Sequence, residues 1–168
     1  MIHVLLVEDS AVFVMGLKLA LQSDSGFASI ESVATPGAAL AFLNAHSETD
    51  VAVVDISLES ETDGLTLLGI LREAFPTVRT LVLSHYKTPA YILKAISSGA
   101  SAYLAKDSAP ESIVEAIADV ADGKSLFFGE TIDADRITRI FGGRENLLAR
   151  KPQGLTPREL EVPNGVTY

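Results

Sequence analysis

Several features are missing or scarce in this chain of 168 residues, and each absence excludes a class of protein. There is no cysteine, which excludes a disulfide scaffold, a thiolate zinc site and a cysteine nucleophile. No apolar run approaches the roughly 18 residues needed to cross a bilayer. The N-terminus lacks the basic region of a signal peptide. We therefore expect a soluble, cytoplasmic protein with no membrane partner.

Positive charge is also scarce. The chain has 22 acidic and 13 basic side chains, for a net charge of −9. Residues 1–130 hold 17 acidic and 7 basic side chains, a net charge of −10, whereas residues 131–168 carry a net charge of +1. Because an acidic domain repels the phosphate backbone of nucleic acid, the first 130 residues are not expected to bind DNA by themselves.

What the chain does contain is a strict alternation of short β-type runs and longer helical patterns. The predicted strands span 2–7, 29–34, 51–54, 80–83 and 102–105, and a helical pattern follows each of them. The run at 51–54 is continuously apolar, which is typical of a strand covered on both faces. Five alternating units predict an α/β protein with a parallel five-stranded sheet and helices on both faces.

Polar side chains occur at the carboxyl ends of four predicted strands: Glu8 and Asp9, then Asp55, Ser84 and Lys106. Ligands of open parallel sheets bind beyond these ends, so we expect the five side chains to meet in one site. Carboxylates held close together repel one another, and Mg²⁺ relieves that repulsion. Asp55 could then attack phosphorus to form an acyl phosphate, with Lys106 and Ser84 contacting phosphoryl oxygens.

These features resemble the receiver domain of two-component response regulators over residues 1–124. The resemblance is carried by Val-Glu-Asp ending at Asp9, Val-Val-Asp ending at Asp55, Leu-Ser ending at Ser84, and Gly-Ala-Ser-Ala-Tyr-Leu-Ala-Lys-Asp ending at Asp107. It implies a doubly wound flavodoxin-like (CheY-like) fold with strand order 2-1-3-4-5, which places strands one and three side by side. Asp9 then lies next to Asp55.

The same resemblance implies a role for each site residue. Asp9, Asp55 and the backbone carbonyl of Ser57 would bind Mg²⁺ directly, and Glu8 would act through metal-bound water. Phosphorylated Asp55, the phosphoacceptor, would contact Lys106.

Two further residues are implied as the switch. Ser84 would move inward toward the phosphoryl group, and Tyr103 would rotate into the space beside it. His85 is bulkier than the small residue usual after Ser84, and it is followed by Tyr86. We expect His85 and Tyr86 to modulate access of phosphodonor and water to the site.

The resemblance also implies partners. A sensor histidine kinase would donate the phosphoryl group, and a homodimer would form through the fourth helix, fifth strand and fifth helix, or through the linker. The chain would be a substrate and switch with at most slow self-dephosphorylation, not a turnover enzyme.

Residues 125–154 are predicted to be a linker with one possible short helix at 133–141. Residues 155–162, Leu-Thr-Pro-Arg-Glu-Leu-Glu-Val, resemble the opening of a LuxR/FixJ-type helix-turn-helix domain. Pro163 and the Asn-Gly pair that follows disfavour a continued helix, so residues 155–168 are interpreted as a truncated start of that domain. DNA would be contacted only through the missing output domain, which would control transcription.

Two alternatives remain open. The loop at 56–64 lacks the usual proline, is one residue longer than usual and holds three extra acidic residues. Together with His85, this favours a pseudo-receiver that acts as a phosphorylation-independent interaction or dimerisation module. The other alternative, a flavodoxin-like enzyme or nucleotide-binding protein, lacks a glycine-rich phosphate loop after the first strand.

Overall fold

The computed structural model describes residues 1–57, 63–86 and 88–127, together with the backbone of residues 130–131. Strands and helices alternate in this part of the chain. The strands are β1 (Ile2–Val7), β2 (Phe27–Val33), β3 (Val51–Asp55), β4 (Arg79–Ser84), β5 (Ala102–Ala105), β6 (Leu126–Phe127) and β7 (Glu130–Thr131). The helices are α1 (Ala11–Gln22), α2 (Pro36–Ala45), α3 (Gly64–Ala74), α4 (Pro89–Ser97) and α5 (Pro110–Ala121).

All seven strands form one sheet in the order β2-β1-β3-β4-β5-β6-β7. Strands β1 to β6 run parallel to one another, and β7 runs antiparallel to β6. The predicted flavodoxin-like order 2-1-3-4-5 is therefore confirmed, but the predicted number of strands is two too low. Strands of two residues are too short to show an alternating pattern in the sequence.

Strand β6 also lies within the range predicted to be a linker, because the buried side chains of Leu126 and Phe127 extend the sheet. Residues 132–168 lie outside the described residues. The predicted short helix at 133–141 and the predicted helix-turn-helix start at 155–168 fall in that range.

Alternating side chains of the strands form a core on each face of the sheet. In β1, Leu5 and Val7 pack toward α2, α3 and α4, whereas Val4 and Leu6 pack toward α1 and α5. Among the described residues, no helix is long and apolar enough to cross a membrane. Both faces of the sheet are covered, so its polar chemistry is confined to the strand ends.

Short sequence signals fix where the helices begin and end. Thr35 caps α2 by accepting a hydrogen bond from the Ala38 amide at 3.1 Å, and Pro36 is the first helical residue. Gly99 and Gly123 follow the ends of α4 and α5 and have φ angles of +102° and +96°, which favour glycine. These caps set the ends of the loops that surround the sheet.

Candidate functional site

The order of the strands brings three carboxylates together. Strand β1 lies next to β3, with Val7 opposite Val54, so the residues that follow these positions are neighbours. The carboxylates of Glu8, Asp9 and Asp55 offer oxygens that all lie within 4.8 Å of one another. Glu8 and Asp55 are buried, whereas Asp9 is exposed. The site thus has a buried floor and an open rim.

Lys106 reaches the same site from the end of β5. Its ammonium forms an ion pair with Oε1 of Glu8, and it lies 3.4 Å from Oδ2 of Asp55. The side chain of Lys106 is only 9% exposed, so solvent screens these ion pairs weakly. The predicted meeting of distant strand ends around Asp55 is present in the structure.

Burial and neighbouring charges shift the protonation of this cluster. Burial, together with the hydrogen bond and charge of Asp55, raises the pKa of Glu8 to about 7, although Lys106 opposes the shift. Burial disfavours the charged form of Lys106, but its hydrogen bond to Glu8 and the charge of Asp55 outweigh that effect and raise its pKa. The ammonium therefore stays charged, and Glu8 titrates near neutral pH.

The chemistry of these side chains fits a magnesium ion. Three carboxylates face one ammonium, which leaves excess negative charge when all of them are ionised. Hard carboxylate oxygens in small number are the ligands that Mg²⁺ takes while keeping several waters. Ser57 is exposed, and its amide donates a hydrogen bond to Oδ1 of Asp55 at 2.9 Å. Metal binding by the Ser57 carbonyl stays a prediction.

Ser84 and Tyr103, the predicted switch residues, are both fully buried. The Oγ of Ser84 accepts a hydrogen bond from the Tyr86 amide at 2.9 Å. The Tyr103 hydroxyl donates to the Tyr86 carbonyl at 2.6 Å, and burial raises the pKa of Tyr103 to about 12. Tyr103 occupies the inward position, and its rotation in response to phosphorylation stays a prediction.

The two residues expected to modulate access lie at the surface. His85 is exposed, and the side chain of Tyr86 is 44% exposed. The ring of Tyr86 stacks on Tyr91 of α4, with ring centroids 4.4 Å apart. The described ring contact of Tyr86 therefore connects the end of β4 to α4. An effect of either residue on access to Asp55 stays a prediction.

Two residues of the site were not found by sequence reasoning. The ring of Phe13 lies under the Lys106 ammonium, with 4.5 Å between Nζ and the ring centroid. Phe13 lies in the first turn of α1, and no spacing in the sequence points from it to Lys106. The other is Gly64, because an added Cβ there would lie 2.4 Å from the Asp55 carbonyl oxygen. Only glycine lets the start of α3 approach Asp55 this closely.

The family profile described as the response regulator receiver domain matches residues 4–118. The nitrate/nitrite response regulator protein NarP of Escherichia coli is 30% identical over 160 residues, covering 95% of this chain and 72% of NarP. The DNA-binding transcriptional activator DevR/DosR of Mycobacterium tuberculosis is 28% identical over 172 residues, covering 95% of this chain and 78% of that protein.

Solved structures show the same likeness. A LuxR-family two-component response regulator from Aurantimonas has a TM-score of 0.70 and 25% identity, with 83% of this chain and 96% of that chain covered. The range that the family profile matches, residues 4–118, includes every strand end that contributes to the carboxylate site. The likeness to the family therefore extends to the region of the candidate chemistry.

Proposed function

This chain belongs to the response regulator receiver domain family, and on that premise we propose that Asp55 accepts a phosphoryl group and acts as a signalling switch. The observation that carries the proposal is the buried contact of one ammonium, that of Lys106, with both Glu8 and Asp55. This arrangement holds a nucleophilic carboxylate beside a fixed positive charge, which suits attack on a phosphoryl group.

In the transfer step, an oxygen of Asp55 forms a bond to phosphorus while the bond from phosphorus to the imidazole of a phosphohistidine breaks. The imidazole leaves with the electron pair of that bond and takes up a proton. Lys106 neutralises charge on a phosphoryl oxygen, and Glu8, Asp9 and Asp55 would hold Mg²⁺, which supplies further neutralisation when bound. The Ser57 amide keeps the Asp55 carboxylate oriented.

The hydrogen bonds of Tyr86 supply a route from chemistry to conformation. Movement of the Ser84 hydroxyl toward a phosphoryl oxygen breaks its bond with the Tyr86 amide. Tyr86 is then held less firmly. Because its carbonyl accepts the hydrogen bond of Tyr103 and its ring stacks on Tyr91, both of these tyrosines are affected. Phosphorylation would thereby alter the surface formed by α4 and β5.

We assign the output to transcription. NarP and DevR/DosR are named as a response regulator and a DNA-binding transcriptional activator, and their alignments cover 95% of this chain. Residues 155–162 resemble the opening of a LuxR/FixJ-type helix-turn-helix domain. An acidic receiver repels DNA, so contact with DNA would be made by such an output domain.

The phosphodonor is proposed to be a sensor histidine kinase that docks on α1. Three large apolar side chains of this helix, Val12, Met15 and Leu19, are 82%, 65% and 63% exposed. Their spacing puts them on one helical face, and α1 begins two residues after Asp9. A protein that delivers a phosphoryl group to Asp55 must cover this rim, and the apolar face of α1 supplies a contact surface beside it.

A homodimer through α4, β5 and α5 remains part of the proposal. These elements carry Tyr91 and Tyr103, the residues connected to Ser84 through Tyr86. The mass of the protein in solution, measured by light scattering with and without a phosphoryl mimic and magnesium, tests this assignment. A mass that stays the same in both conditions would contradict a phosphorylation-dependent dimer.

Intact mass spectrometry after treatment with acetyl phosphate and magnesium tests the phosphoacceptor. We expect the wild-type protein to gain one phosphoryl group and Asp55→Asn to gain none. Asp122→Asn, which changes an exposed aspartate after α5, serves as the matched control and should gain one group. A gain by Asp55→Asn equal to that of wild type would overturn the assignment.

The pseudo-receiver is the competing outcome of the same experiment. It predicts no mass gain, and no change in tyrosine fluorescence when magnesium and beryllofluoride are added. The chain has no tryptophan and four tyrosines, so tyrosine emission is observed directly. A fluorescence change in the wild-type protein that is absent in Asp55→Asn would support the switch.

A further inference from the structure

Phe13 borders two cavities beside the carboxylate site. One has a volume of about 10 Å³ and is lined by Glu8 and Asp55 among others. The other is a groove of about 270 Å³ between α1 and the start of α5, and Lys106 is part of its lining. The first has about the volume that a single water needs, whereas the second is much larger. Phe13 and Leu17 line both, so they separate the buried carboxylates from the groove.

The Lys106 ammonium has three neighbours, and Phe13 is the one that carries no charge. The ammonium pairs with Oε1 of Glu8, lies 3.4 Å from Oδ2 of Asp55 and lies 4.5 Å from the centroid of the Phe13 ring. An ammonium is a point charge with three donors on a flexible four-carbon stem. The face of an aromatic ring attracts such a cation. The ring therefore adds a third contact to the two that the carboxylates provide.

Contacts elsewhere in the chain fix the ring independently of Lys106. Ser10, the N-cap of α1, accepts a hydrogen bond from the Phe13 amide at 3.3 Å. The ring is half-buried and packs against the part of the core that lies under α1 and α5. The backbone of Lys106 is held separately, because its amide donates to the Ser84 carbonyl at 2.9 Å. Phe13 thus offers a fixed surface to the flexible end of the lysine.

The groove offers the ammonium a competing environment. A lysine ammonium is strongly hydrated, and its long stem lets it turn toward solvent. The side chain of Lys106 is nevertheless only 9% exposed, although Lys106 lines the groove. The ring of Phe13 stands where it can keep the ammonium on the side of the carboxylates and replace part of its hydration. Removing the ring would let the ammonium share its time between Asp55 and the groove.

We propose that Phe13 is a positioning residue for phosphoryl transfer, whose ring face holds the Lys106 ammonium beside Asp55 and away from the groove. This inference rests on the proposed function, because it requires Asp55 to be the phosphoacceptor. The ammonium assists the transfer only while it lies beside Asp55. The rate of phosphorylation therefore scales with the fraction of time it spends there, and that fraction falls when the ring face is removed.

The position of the ammonium is measured by NMR of the chain labelled with ¹³C at Cε of lysine, without magnesium or phosphodonor. Lys106→Arg identifies the Lys106 signal. Protons above the face of an aromatic ring are shielded, so we expect the Hε protons of Lys106 to be shifted upfield in the wild type. Phe13→Leu keeps an apolar side chain and should lose this shift, whereas Phe13→Tyr keeps the ring and should retain it. Equal Lys106 signals in the wild type and Phe13→Leu would overturn the proposal.

Phosphorylation rates from acetyl phosphate at saturating magnesium measure the consequence. We expect Phe13→Leu to react about fivefold more slowly than wild type, as the loss of a cation–π contact implies, and Phe13→Tyr to stay within about twofold. Gly16→Ala is the matched control, because Gly16 lines the same groove and its added Cβ meets open space. It should also stay within about twofold. Equal slowing by Phe13→Leu and Phe13→Tyr would contradict a role for the ring face.

The two measurements separate this inference from the proposed function. A wild-type protein that gains no phosphoryl group would overturn the proposed function, while the Lys106 signal still reports whether Phe13 holds the ammonium. A wild type that is phosphorylated at the same rate as Phe13→Leu would overturn the positioning role alone. Circular dichroism at the assay temperature reports whether Phe13→Leu is folded, and Phe13→Met provides the same comparison if it is not.

Discussion

The hydroxyl of Tyr103 donates a hydrogen bond to the backbone carbonyl of Tyr86, at 2.6 Å. The amide of Tyr86 donates in turn to Ser84, so one residue of the β4–α4 loop is held by both proposed switch residues. The loop conformation is therefore coupled to Ser84 on one side and to Tyr103 on the other.

Removing the Tyr103 hydroxyl should loosen this loop. We expect Tyr103→Phe to lower the free energy of unfolding by about 1 kcal/mol, because one partly buried hydrogen bond is lost. Urea unfolding followed by circular dichroism measures the change. Tyr91→Phe is the control, since its ring stack on Tyr86 is retained, and it should change stability by less than about 0.5 kcal/mol. Equal losses in the two variants would argue against the Tyr86 contact.

Adding a methyl group at Gly64 should disturb both stability and phosphorylation. The added Cβ would lie 2.4 Å from the Asp55 carbonyl oxygen and 2.5 Å from Cα of Ile56, so the start of α3 must shift. We expect Gly64→Ala to lose about 1–3 kcal/mol of stability and to reduce the yield of acyl phosphate.

Gly69→Ala is the matched control on the same helix. Apart from its chain neighbours and the backbone of its own helix, no atom lies within 4 Å of its added Cβ, so removing backbone freedom should stabilise the protein by about 0.5–1 kcal/mol. Denaturation midpoints and phosphorylation yields of the two alanine variants are compared. A Gly64→Ala protein as stable as wild type would show that α3 does not depend on this close approach.

The raised pKa of Glu8 predicts a pH dependence of folding. Its value of about 7 lies above the ordinary 4.5, so the folded protein binds this proton more tightly than the unfolded chain between these limits. The contribution of Glu8 to the free energy of unfolding is therefore present below about pH 4.5 and is lost as the pH rises toward about 7.

Urea unfolding of the metal-free protein across this range measures the effect. Glu8→Gln should show a smaller decline with rising pH than wild type. Because a metal competes with the proton, magnesium affinity of the wild type should also fall as the pH drops below about 7. Parallel stability profiles for wild type and Glu8→Gln would show that Glu8 titrates at its ordinary pKa.

The exposed apolar face of α1 should affect the rate at which a histidine kinase transfers a phosphoryl group to Asp55. It should not affect transfer from a small donor such as acetyl phosphate. Met15→Gln and Leu19→Gln remove apolar surface without adding charge. Each should slow transfer from the kinase about tenfold, as expected if part of a buried side chain's contribution is lost. Profiling against the purified histidine kinases of the source organism measures these rates, with Ala41→Gln on α2 as the control. Rates from acetyl phosphate should stay unchanged, and equal slowing with both donors would contradict docking on α1.

Much of the fold follows from patterns that the sequence displays. The strand Ala102–Ala105 matches its predicted bounds, and each of the five predicted strands is followed by a helix, as the alternating pattern indicates. The site follows from strand order, since the rule for parallel sheets brings Asp55 and Lys106 together across 51 residues of sequence.

Other features depend on side-chain directions that periodicity does not define. The position of Phe13 under Lys106 and the stack of Tyr86 on Tyr91 require rotamers and loop paths set by packing. The close approach at Gly64 depends on the angle at which α3 meets the sheet. Sequence patterns identified the charged groups of the site but not the aromatic and backbone contacts that hold them.

Tyr103 of β5 pairs with Phe127 of β6, so strand pairing provides a short path from the proposed switch to the last strands of the sheet. If Ser84 moves as proposed, strand pairing connects it from β4 to β5 and from β5 to β6 and β7. Because this path ends in the sheet itself, its endpoint is the same whatever module is attached downstream. We expect a fusion that replaces residues 132–168 with another effector to inherit the same input.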